Sequence, residues 1–379
     1  MPTTSGSPTL FLLVTLLIKL GVMASLASII PRIGTFRNLL FIERRSIREK
    51  VLFSTFLGVP FMLGVLARLV ARLVVLDCLT YAGHRANLAE VEENPKFTFA
   101  KVDLRDASAV TKLVNEEMCS HVMHLAAESH VDRSITGPGT FVETNVMGTF
   151  NLLEACRESW AGEWAGRRFL HVSTDEVFGS LGETGAFSEA SPYQPNSPYS
   201  ASKASADHLV RAYYHTYGFP AVITNCSNNY GPYQFPEKLI PQTIHRAATG
   251  QTIPVYGDGS NVRDWLFVED HVEALWLGLT KGEPGESCNV GGDNEWPNLR
   301  VVETICDLVD ERLDRPAGTA RELIAFVTDR PGHDFRYAID ASKIQRELGW
   351  AAAHDFPQAM QLTVDWYLEN EDWVKSVMS

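Results

Sequence analysis

The chain has 379 residues, enough to bury a large core and to add a second, smaller lobe. Its composition, with 45% hydrophobic and 21% charged residues, is that of an ordinary soluble enzyme. The formal net charge of -13 argues against general nucleic-acid binding, which depends on neutralising phosphates with Lys and Arg. A phosphorylated small molecule stays compatible with this charge, because a few local cations suffice to hold one.

The segment from Thr9 to Ile30 is almost entirely apolar and long enough to span a bilayer. Lys19 lies near its centre, where a lysine costs about 2.5 to 3.5 kcal/mol on insertion scales. Met1 to Pro8 lacks the positive charge that precedes the apolar run of a secretory signal. Membrane contact through this segment is therefore not favoured. Because basic residues follow the run, the rest of the chain is expected to be cytoplasmic in either case.

From about residue 72 the sequence alternates short apolar runs with helical patterns. The apolar runs cover residues 73–76, 97–102, 121–125, 169–173 and 221–225, and the helical patterns cover 107–118, 142–159 and 200–217. This alternation predicts an α/β fold, a Rossmann-like, doubly wound parallel sheet. Ligands of such sheets bind beyond the carboxyl ends of the strands. From Asn225 onward, segments interrupted by Pro and Gly predict a smaller substrate-binding lobe.

The cysteines show no C-x-x-C pair, which is typical of free thiols in a reducing compartment. No disulfide framework and no metal site is predicted from them. The six residues are Cys78, Cys119, Cys156, Cys226, Cys288 and Cys306.

Tyr199 and Lys203 form a Tyr-x-x-x-Lys pattern in one of the helical stretches. Residues four apart share a helix face, so the lysine ammonium is expected to lower the pKa of the phenol and make it a usable base. On its own the pattern is also that of an ordinary surface pair. Here it follows a predicted strand ending in Ser173 by the distance expected for the next helix of the fold.

Asp175 and Glu176 are adjacent carboxylates just beyond that strand. They fit a solvated turn or helix cap, but also an acid and base pair whose environments separate their pKa values. Thr174 is placed to donate a hydrogen bond to a developing oxyanion.

From about residue 74 to its C-terminus the chain closely resembles the dTDP-glucose 4,6-dehydratases of the extended short-chain dehydrogenase/reductase superfamily. The motifs that carry the resemblance are Leu-Thr-Tyr-Ala-Gly (79–83), His-Leu-Ala-Ala-Glu-Ser-His-Val-Asp-Arg-Ser-Ile (124–135), Ser-Thr-Asp-Glu-Val-Phe-Gly (173–179), Ser-Pro-Tyr-Ser-Ala-Ser-Lys-Ala-Ser (197–205), the run 224–241, Arg-Asp-Trp-Leu-Phe-Val-Glu-Asp-His (263–271) and the run 329–340.

The resemblance implies an NAD-dependent reaction in three steps. Tyr199, held by Lys203, removes the proton of the glucose 4-hydroxyl while hydride passes from C4 to NAD⁺. Thr174 polarises the resulting ketone, Glu176 takes the acidified C5 proton, and Asp175 protonates the departing C6 hydroxyl. NADH then returns the hydride to C6.

Cofactor and substrate contacts are also implied. Asp77, at the end of the second strand, is expected to bond the adenosine ribose and to favour NAD over NADP. The other cofactor positions are Asp103, Leu104, Ala126, Ala127, Ser129, Thr144, Tyr199, Lys203 and Asn229. Arg263 is expected on the diphosphate, since its fork suits phosphate oxygens. The other substrate positions are Glu128, Ser129, Thr174, Asn228, Lys238, Leu239, Tyr256, Asn298, Arg330 and His333.

We expect an unmatched segment at 1–49, an NAD-binding Rossmann domain at 50–224 with later strand returns, and a mainly substrate-binding lobe at 225–379. The family also forms homodimers through a four-helix interface, which assigns that role to 142–159 and 200–217. Nucleotide-sugar metabolism, in particular dTDP-rhamnose biosynthesis, is the implied context.

One part of the family pattern is missing. The first strand should lead into Gly-x-x-Gly-x-x-Gly roughly two dozen residues before Asp77. Lys50 to Leu52 fits a remnant of that strand, but Phe53 to Arg72 holds only Gly58 and Gly64. This abrupt change suggests a frame or start error within residues 1–72, which sequencing the transcript tests. For the chain as written, it predicts weak NAD binding and little activity.

The sequence therefore leaves two alternative functions open besides that of a dTDP-glucose 4,6-dehydratase. A related UDP-sugar dehydratase or epimerase shares Tyr-x-x-x-Lys, but an epimerase does not need the Asp175 and Glu176 pair, so that pair favours dehydration. A non-catalytic or impaired product that still binds nucleotide sugars is supported by the missing glycine loop.

Overall fold

The computed structural model describes residues 47–54 and 70–379. The apolar segment Thr9–Ile30 lies outside these residues, and so does the stretch 55–69 with Gly58 and Gly64. Within the described ranges, no helix combines the length and the apolar character needed to cross a bilayer.

A parallel sheet of seven strands forms the larger part of the structure, in the order β10-β6-β5-β4-β1-β2-β3. Its strands are β1 (Ile47–Ser54), β2 (Val70–Asp77), β3 (Phe97–Lys101), β4 (His121–His124), β5 (Arg168–Thr174), β6 (Ala221–Cys226) and β10 (Ser287–Val290). The strand order reverses at the β1–β4 pair, which is the point where ligands of doubly wound sheets bind. The predicted α/β fold is confirmed.

The predicted first strand at Lys50 to Leu52 is confirmed as part of β1. Leu52 is fully buried and pairs with Val74 of β2 and Val122 of β4. This short apolar segment therefore lies in the middle of the sheet, where both faces are covered.

Smaller sheets build the second lobe. They contain β7 (Asn228–Tyr230), β8 (Ile253–Tyr256), β9 (Val262–Phe267), β11 (Glu295–Pro297) and β12 (Ile324–Val327), paired as β11-β9-β7 and β12-β8. The α-helices of the described residues are α1 (Ala89–Glu92), α2 (Ala107–Glu117), α3 (Val131–Thr136), α4 (Pro138–Phe141), α5 (Gly148–Trp160), α6 (Pro198–Tyr217), α7 (Leu239–Thr249), α8 (Val268–Lys281), α9 (Asn298–Arg312), α10 (Ser342–Leu348), α11 (Phe356–Glu369) and α12 (Glu371–Met378).

Two main cores hold these elements together. Helices α2, α5 and α6 bury apolar side chains against one face of the seven-stranded sheet, among them Val110, Leu152 and Val210. Helices α7, α9 and α11 enclose the core of the second lobe. The helical pattern at 142–159 differs from expectation at its start, because Val142–Met147 forms a π-helical turn that leads into α5.

A buried ion pair joins α8 to the segment before α11. His354 Nδ1 lies 3.0 Å from Asp270 Oδ1, and the His354 backbone N–H donates to Asp270 Oδ2 at 3.1 Å. The hydrogen bond with Asp270 is the largest of the effects that raise the pKa of His354 above its usual 6.5. The pair therefore stabilises the folded state more when the imidazole is protonated than when it is neutral.

We expect His354→Gln to lower the free energy of unfolding by about 1 to 3 kcal/mol under acidic conditions. Since folding raises the pKa of His354, this contribution is complete below the unfolded pKa of about 6.5 and is lost as the pH rises through the higher folded pKa. Urea unfolding at about pH 5.5 and about pH 9 measures the difference. His215→Gln, at an exposed position of α6, is the control. A loss of stability that is equal at both pH values would contradict the prediction.

Candidate active site

The catalytic carboxylates predicted from the sequence follow directly on strand β5, which is buried along most of its length and ends at Thr174. A 3-10 turn over Asp175–Phe178 begins there, and the Thr174 hydroxyl caps it by accepting from the Glu176 backbone N–H at 3.2 Å. The same hydroxyl lies 3.3 Å from Asp175 Oδ1. The turn ends at Gly179, whose φ of +90° and whose approach to the Gln194 carbonyl oxygen leave no room for a Cβ atom.

Helix α6 brings the predicted tyrosine and lysine to the same place. Ser197 caps its N-terminus in a capping box with Ser200, and Pro198 takes the first helical position. Tyr199 and Lys203 both lie on the buried face of the helix. The Lys203 ammonium donates to the Val172 carbonyl oxygen of β5 at 2.8 Å, which ties this helix face to the strand end.

All five predicted catalytic residues line one cavity of about 210 Å³ at the carboxyl ends of the strands. Five of the predicted binding residues line it too, namely Ala127, Ser129, Asn228, Asn229 and Lys238. Asn228 and Asn229 each have a buried side-chain oxygen with no hydrogen-bond partner among the described residues. Buried polar atoms of this kind are usually satisfied by a ligand or by water.

The two carboxylates have different surroundings. Burial raises the pKa of Asp175 well above its ordinary value, and the neighbouring Glu176 adds to the rise. Burial also raises the pKa of Glu176, but the cations of Arg330, Arg263 and Lys238 oppose it, in that order. Asp175 is therefore suited to hold a proton and Glu176 to accept one.

The pKa of Tyr199 is raised well above its ordinary value, by burial first and by the Glu176 carboxylate second. The net shift is therefore opposite to the lowering expected from Lys203. The physical reason is that the phenol is almost fully buried, while the Lys203 ammonium donates to a backbone carbonyl instead. A hydrogen bond from Thr174 acts in the opposite direction and favours the phenolate.

A second cavity of about 130 Å³ lies beside the first, at the ends of β2, β3 and β4. Its lining includes seven predicted site residues: Asp77, Asp103, Leu104, Ala126, Ala127, Glu128 and Thr144. Asp77 Oδ1 accepts the Leu79 backbone N–H at 2.6 Å, which fixes the carboxylate at the end of β2. Asp103 forms a close ion pair with Arg105. Since Ala127 lines both cavities, the two form one crevice at the point where the strand order reverses.

This crevice fits a dinucleotide cofactor. It offers an acidic side chain at the end of the second strand, a pocket beside it, and a connection to the catalytic cavity. The loop that would hold the pyrophosphate falls in 55–69, outside the described residues.

Most of the other predicted substrate residues line neither cavity. Tyr256 OH and Arg330 NH1 both contact the Asp132 carboxylate of α3, each at 3.3 Å, and the Tyr256 and His333 rings lie 6.4 Å apart. Lys238 Nζ donates to the Ser129 carbonyl oxygen at 3.1 Å. Leu239 begins α7 and Asn298 begins α9, and neither lines the two cavities.

Arg263 differs from expectation. It is buried, with its NH1 donating to the Val262 carbonyl oxygen at 2.7 Å and its NH2 to that of Asp334 at 2.9 Å. Its guanidinium also lies over the Tyr337 ring. These hydrogen bonds, with a further one to the Phe335 carbonyl oxygen, use three of its five N–H groups, so a phosphate contact would be limited to the groups that remain on a buried side chain. Arg330 is better placed, because its Nε is buried without a hydrogen-bond partner among the described residues.

Sequence reasoning missed Asn145, which lies in the π-helical turn before α5 and is buried. Its side chain accepts from the Glu128 backbone N–H at 2.7 Å and donates to the Glu128 carbonyl oxygen and to Ser202 Oγ, each at 2.9 Å. It therefore joins the segment after β4 to the helix of Tyr199. The signal for it in the sequence is a single Asn within a stretch that otherwise reads as an ordinary helix.

Comparison with known proteins gives concordant matches. The family model for GDP-mannose 4,6 dehydratase matches residues 64–363. A dTDP-glucose 4,6-dehydratase of Xanthomonas campestris pv. campestris (strain B100) is 57% identical over 328 residues, which cover 85% of this chain and 93% of the relative. The dTDP-glucose 4,6-dehydratase 1 of Escherichia coli K12 is 52% identical over 319 residues, covering 81% of this chain and 88% of that protein.

Solved structures agree with these relatives. A dTDP-glucose 4,6-dehydratase from Streptomyces venezuelae with NAD bound is 41% identical, superposes with a TM-score of 0.77, and covers 86% of this chain and 99% of its own. The UDP-glucose 4-epimerase of Thermus thermophilus, also in complex with NAD, is 29% identical, with a TM-score of 0.74 and coverages of 85% and 99%.

Proposed function

Because the chain belongs to the dTDP-glucose 4,6-dehydratase family, we propose that it converts dTDP-glucose to dTDP-4-keto-6-deoxyglucose and water. The observation that carries this proposal is one cavity that holds Tyr199 and Lys203 together with the Asp175–Glu176 pair. An epimerase has no use for such a pair, whereas removal of water across C5 and C6 needs both an acid and a base.

NAD, when bound, accepts the hydride from C4 and later returns it to C6. The residues proposed to hold it are Asp77 on the adenosine ribose, Asp103 and Leu104 around the adenine, and the strand-end residues Ala126, Ala127 and Ser129. Thr144 and Asn229 complete the set, with Tyr199 and Lys203 on the nicotinamide side. The cavity along β2, β3 and β4 supports this assignment.

Tyr199 is proposed to remove the proton of the C4 hydroxyl. Proton removal requires the phenolate form of Tyr199, which burial disfavours by raising the pKa of the phenol. The Thr174 hydroxyl favours the phenolate and is suited to donate to the C4 ketone oxygen once it forms. Lys203, anchored on Val172, fixes the helix face that carries Tyr199.

Elimination is assigned to the carboxyl pair. A ketone at C4 makes the C5 proton acidic, and Glu176, whose anionic form is favoured by three nearby cations, is the base that takes it. Asp175, whose pKa is raised by burial, donates its proton to the C6 hydroxyl, which leaves as water. When hydride reaches C6, the proton held by Glu176 returns to C5. Two neighbouring carboxyl groups thus take opposite roles because their surroundings differ.

Substrate recognition is assigned to residues in and around the two cavities, which include Glu128, Asn228, Lys238, Leu239 and Asn298. Arg330 is proposed as the main cation that binds the diphosphate, with Tyr256 and His333 next to it. Arg263, which is buried, is proposed to contribute its positive charge. This fits a division in which residues 50–224 hold the cofactor and 225–379 mainly hold the nucleotide sugar, with β10 returning to the larger sheet.

We expect Arg330→Gln to raise KM for dTDP-glucose by about 10- to 150-fold, since a hydrogen bond to a charged group is worth about 1.5 to 3 kcal/mol. KM for NAD should stay unchanged. Steady-state kinetics with each ligand varied in turn measures both effects, and Arg346→Gln, at an exposed position of α10, is the control. An equal rise in both KM values would contradict the assignment of Arg330 to the nucleotide sugar.

We also propose a homodimer, with dTDP-rhamnose biosynthesis in the cytoplasm as the physiological context. Exposed apolar side chains on the helical surface at 142–159 support an interface, among them Val142, Met147 and Phe150. Sedimentation equilibrium tests it, and a monomeric mass at micromolar concentration would contradict it.

The proposed activity is tested by incubating the purified chain with dTDP-glucose and NAD⁺ and following the alkaline absorbance of the 4-keto product. UDP-glucose in place of dTDP-glucose tests the nucleotide base, and formation of a galactose epimer without this absorbance would favour an epimerase. If no product forms, grafting a Gly-x-x-Gly-x-x-Gly loop ahead of Asp77 separates an impaired cofactor loop from a wrong catalytic assignment. Activity restored by the graft supports the assignment, and continued inactivity contradicts it.

A further inference from the structure

A third ionisable residue lies on the buried face of α6. Tyr199, Lys203 and Asp207 follow one another at intervals of four residues, which places them on one side of the helix. Asp207 has no exposed surface. It does not line the catalytic cavity, so it contacts neither of the proposed ligands. A carboxylate buried to this extent is costly unless it is paired and hydrogen-bonded.

Asp207 is the centre of a polar network beneath the catalytic strand end. Its Oδ2 accepts from Ser173 Oγ at 2.8 Å, from Tyr193 OH at 2.9 Å and from Asn225 Nδ2 at 3.5 Å. The same Asn225 amide donates to the Thr174 carbonyl oxygen at 3.2 Å. One carboxylate thereby holds the residue before Thr174 and, through Asn225, Thr174 itself.

Histidines lie on the other side of the carboxylate. His171 Nε2 is 3.1 Å from Asp207 Oδ1, and the His171 ring lies 5.2 Å from that of His124. Both rings are buried on β4 and β5, and burial lowers the pKa of each. Since a lowered pKa disfavours the positively charged imidazole, neither histidine is well suited to neutralise the charge of Asp207.

Lys203 is the cation that remains. Burial lowers its pKa, and the charge of Asp207 is the largest effect acting against that loss. The other titratable groups around the two residues are the thiol of Cys226, the phenols of Tyr193 and Tyr199, and the two histidines, with Arg211 and His208 on the far side of Tyr193. Of all these groups, Asp207 is the one whose charge most favours the protonated form of Lys203.

We propose that Asp207 is a positioning residue of the active site, which holds the end of β5 in register with α6 and acts electrostatically on Lys203, one helical turn away. The inference rests on the proposed function, because it assigns a role within the same reaction. Asp207 acts through Lys203 and Ser173 and contacts no substrate atom.

The proposed role of Asp207 predicts a change in the pH dependence of the reaction that a purely structural role would not produce. Without the carboxylate, Lys203 loses its proton at a lower pH, and a neutral lysine no longer favours the Tyr199 phenolate. We expect Asp207→Asn to move the basic limb of the kcat/KM profile down by about one pH unit or more. Tyr193→Phe removes a hydrogen bond of the network but keeps the charge, so its basic limb should stay where the unmodified chain has it.

The experiment compares the pH profiles of the three proteins with dTDP-glucose. A basic limb that moves in Asp207→Asn alone supports the proposal, whereas limbs that coincide in all three proteins overturn it. An unmodified chain without activity would instead count against the proposed function.

A measurement of stability tests the dependence of Lys203 on Asp207 without an activity assay. Urea midpoints are compared for Asp207→Asn, for Lys203→Met and for the double variant. If the two charges depend on each other, the double variant unfolds at a higher urea concentration than Asp207→Asn, because no unpaired charge stays buried. A double variant that is no more stable than Asp207→Asn would overturn the electrostatic coupling of the two residues, even if the single variant fails to fold.

Discussion

Replacement of Tyr199 by phenylalanine is expected to lower kcat for dTDP-glucose by roughly 10²- to 10⁴-fold, the usual contribution of a positioned general base. The change removes one oxygen atom from a ring that packs edge-on against Phe141, so the packing of α6 should be kept. KM for dTDP-glucose should change little. Initial rates of product formation measure the effect, with unfolding curves to show that the variant is folded.

Tyr217→Phe is the matched control for this variant, since Tyr217 lies on the same helix but is 47% exposed. It should keep the full rate. If Tyr199→Phe retained more than about a tenth of kcat, another group would have to remove the C4 proton. The assignment of the oxidation step would then be wrong.

Glu176→Gln is the second variant with a large expected effect. It leaves Tyr199 and Lys203 in place, so oxidation at C4 should proceed, but no base takes the C5 proton. Overall turnover should fall by roughly 10²- to 10⁴-fold. The absorbance of reduced nicotinamide should rise on addition of dTDP-glucose and persist, and mass spectrometry should detect a keto sugar that has not lost water.

Asp175→Asn provides a contrast to this variant. The base is then present and the acid is missing, so we expect C5 to exchange its proton with deuterated solvent although little water is lost. Glu183→Gln, on the exposed loop that follows the catalytic turn, is the neutral control. Rapid C5 exchange in Glu176→Gln would contradict the assignment of Glu176 as the base.

Much of this site was predictable because it lies at the ends of strands. The strands β2 to β6 are short apolar runs, and each ends near a polar or small residue, so the sequence indicated where Asp77 and Thr174 would lie. The five predicted catalytic residues do line one cavity. The first strand was predictable from Lys50 to Leu52 alone, because β1 needs only a short apolar run between two neighbours.

Other features depend on contacts between distant segments. Asn145 is defined by bonds to Glu128 and Ser202, residues 17 and 57 positions away in the chain. The burial of Arg263 depends on the carbonyl of Asp334, 71 positions away. Periodicity within a segment cannot reveal such partners.

Burial also explains why the pKa of Tyr199 differs from the expectation. From spacing alone, Lys203 should lower the pKa of Tyr199. The structure gives the opposite direction, because desolvation of the phenol outweighs that effect. The sequence shows which residues share a helix face, but the loss of solvent depends on everything packed around them.

The central claim is that the sugar is oxidised at C4 and the same hydrogen returns at C6. The most direct test supplies dTDP-glucose deuterated at C4, with NAD⁺, and locates the label in the product by nuclear magnetic resonance. Transient oxidation on one enzyme molecule predicts deuterium at C6 of dTDP-4-keto-6-deoxyglucose. Deuterium retained at C4 or lost to solvent would contradict the proposed reaction.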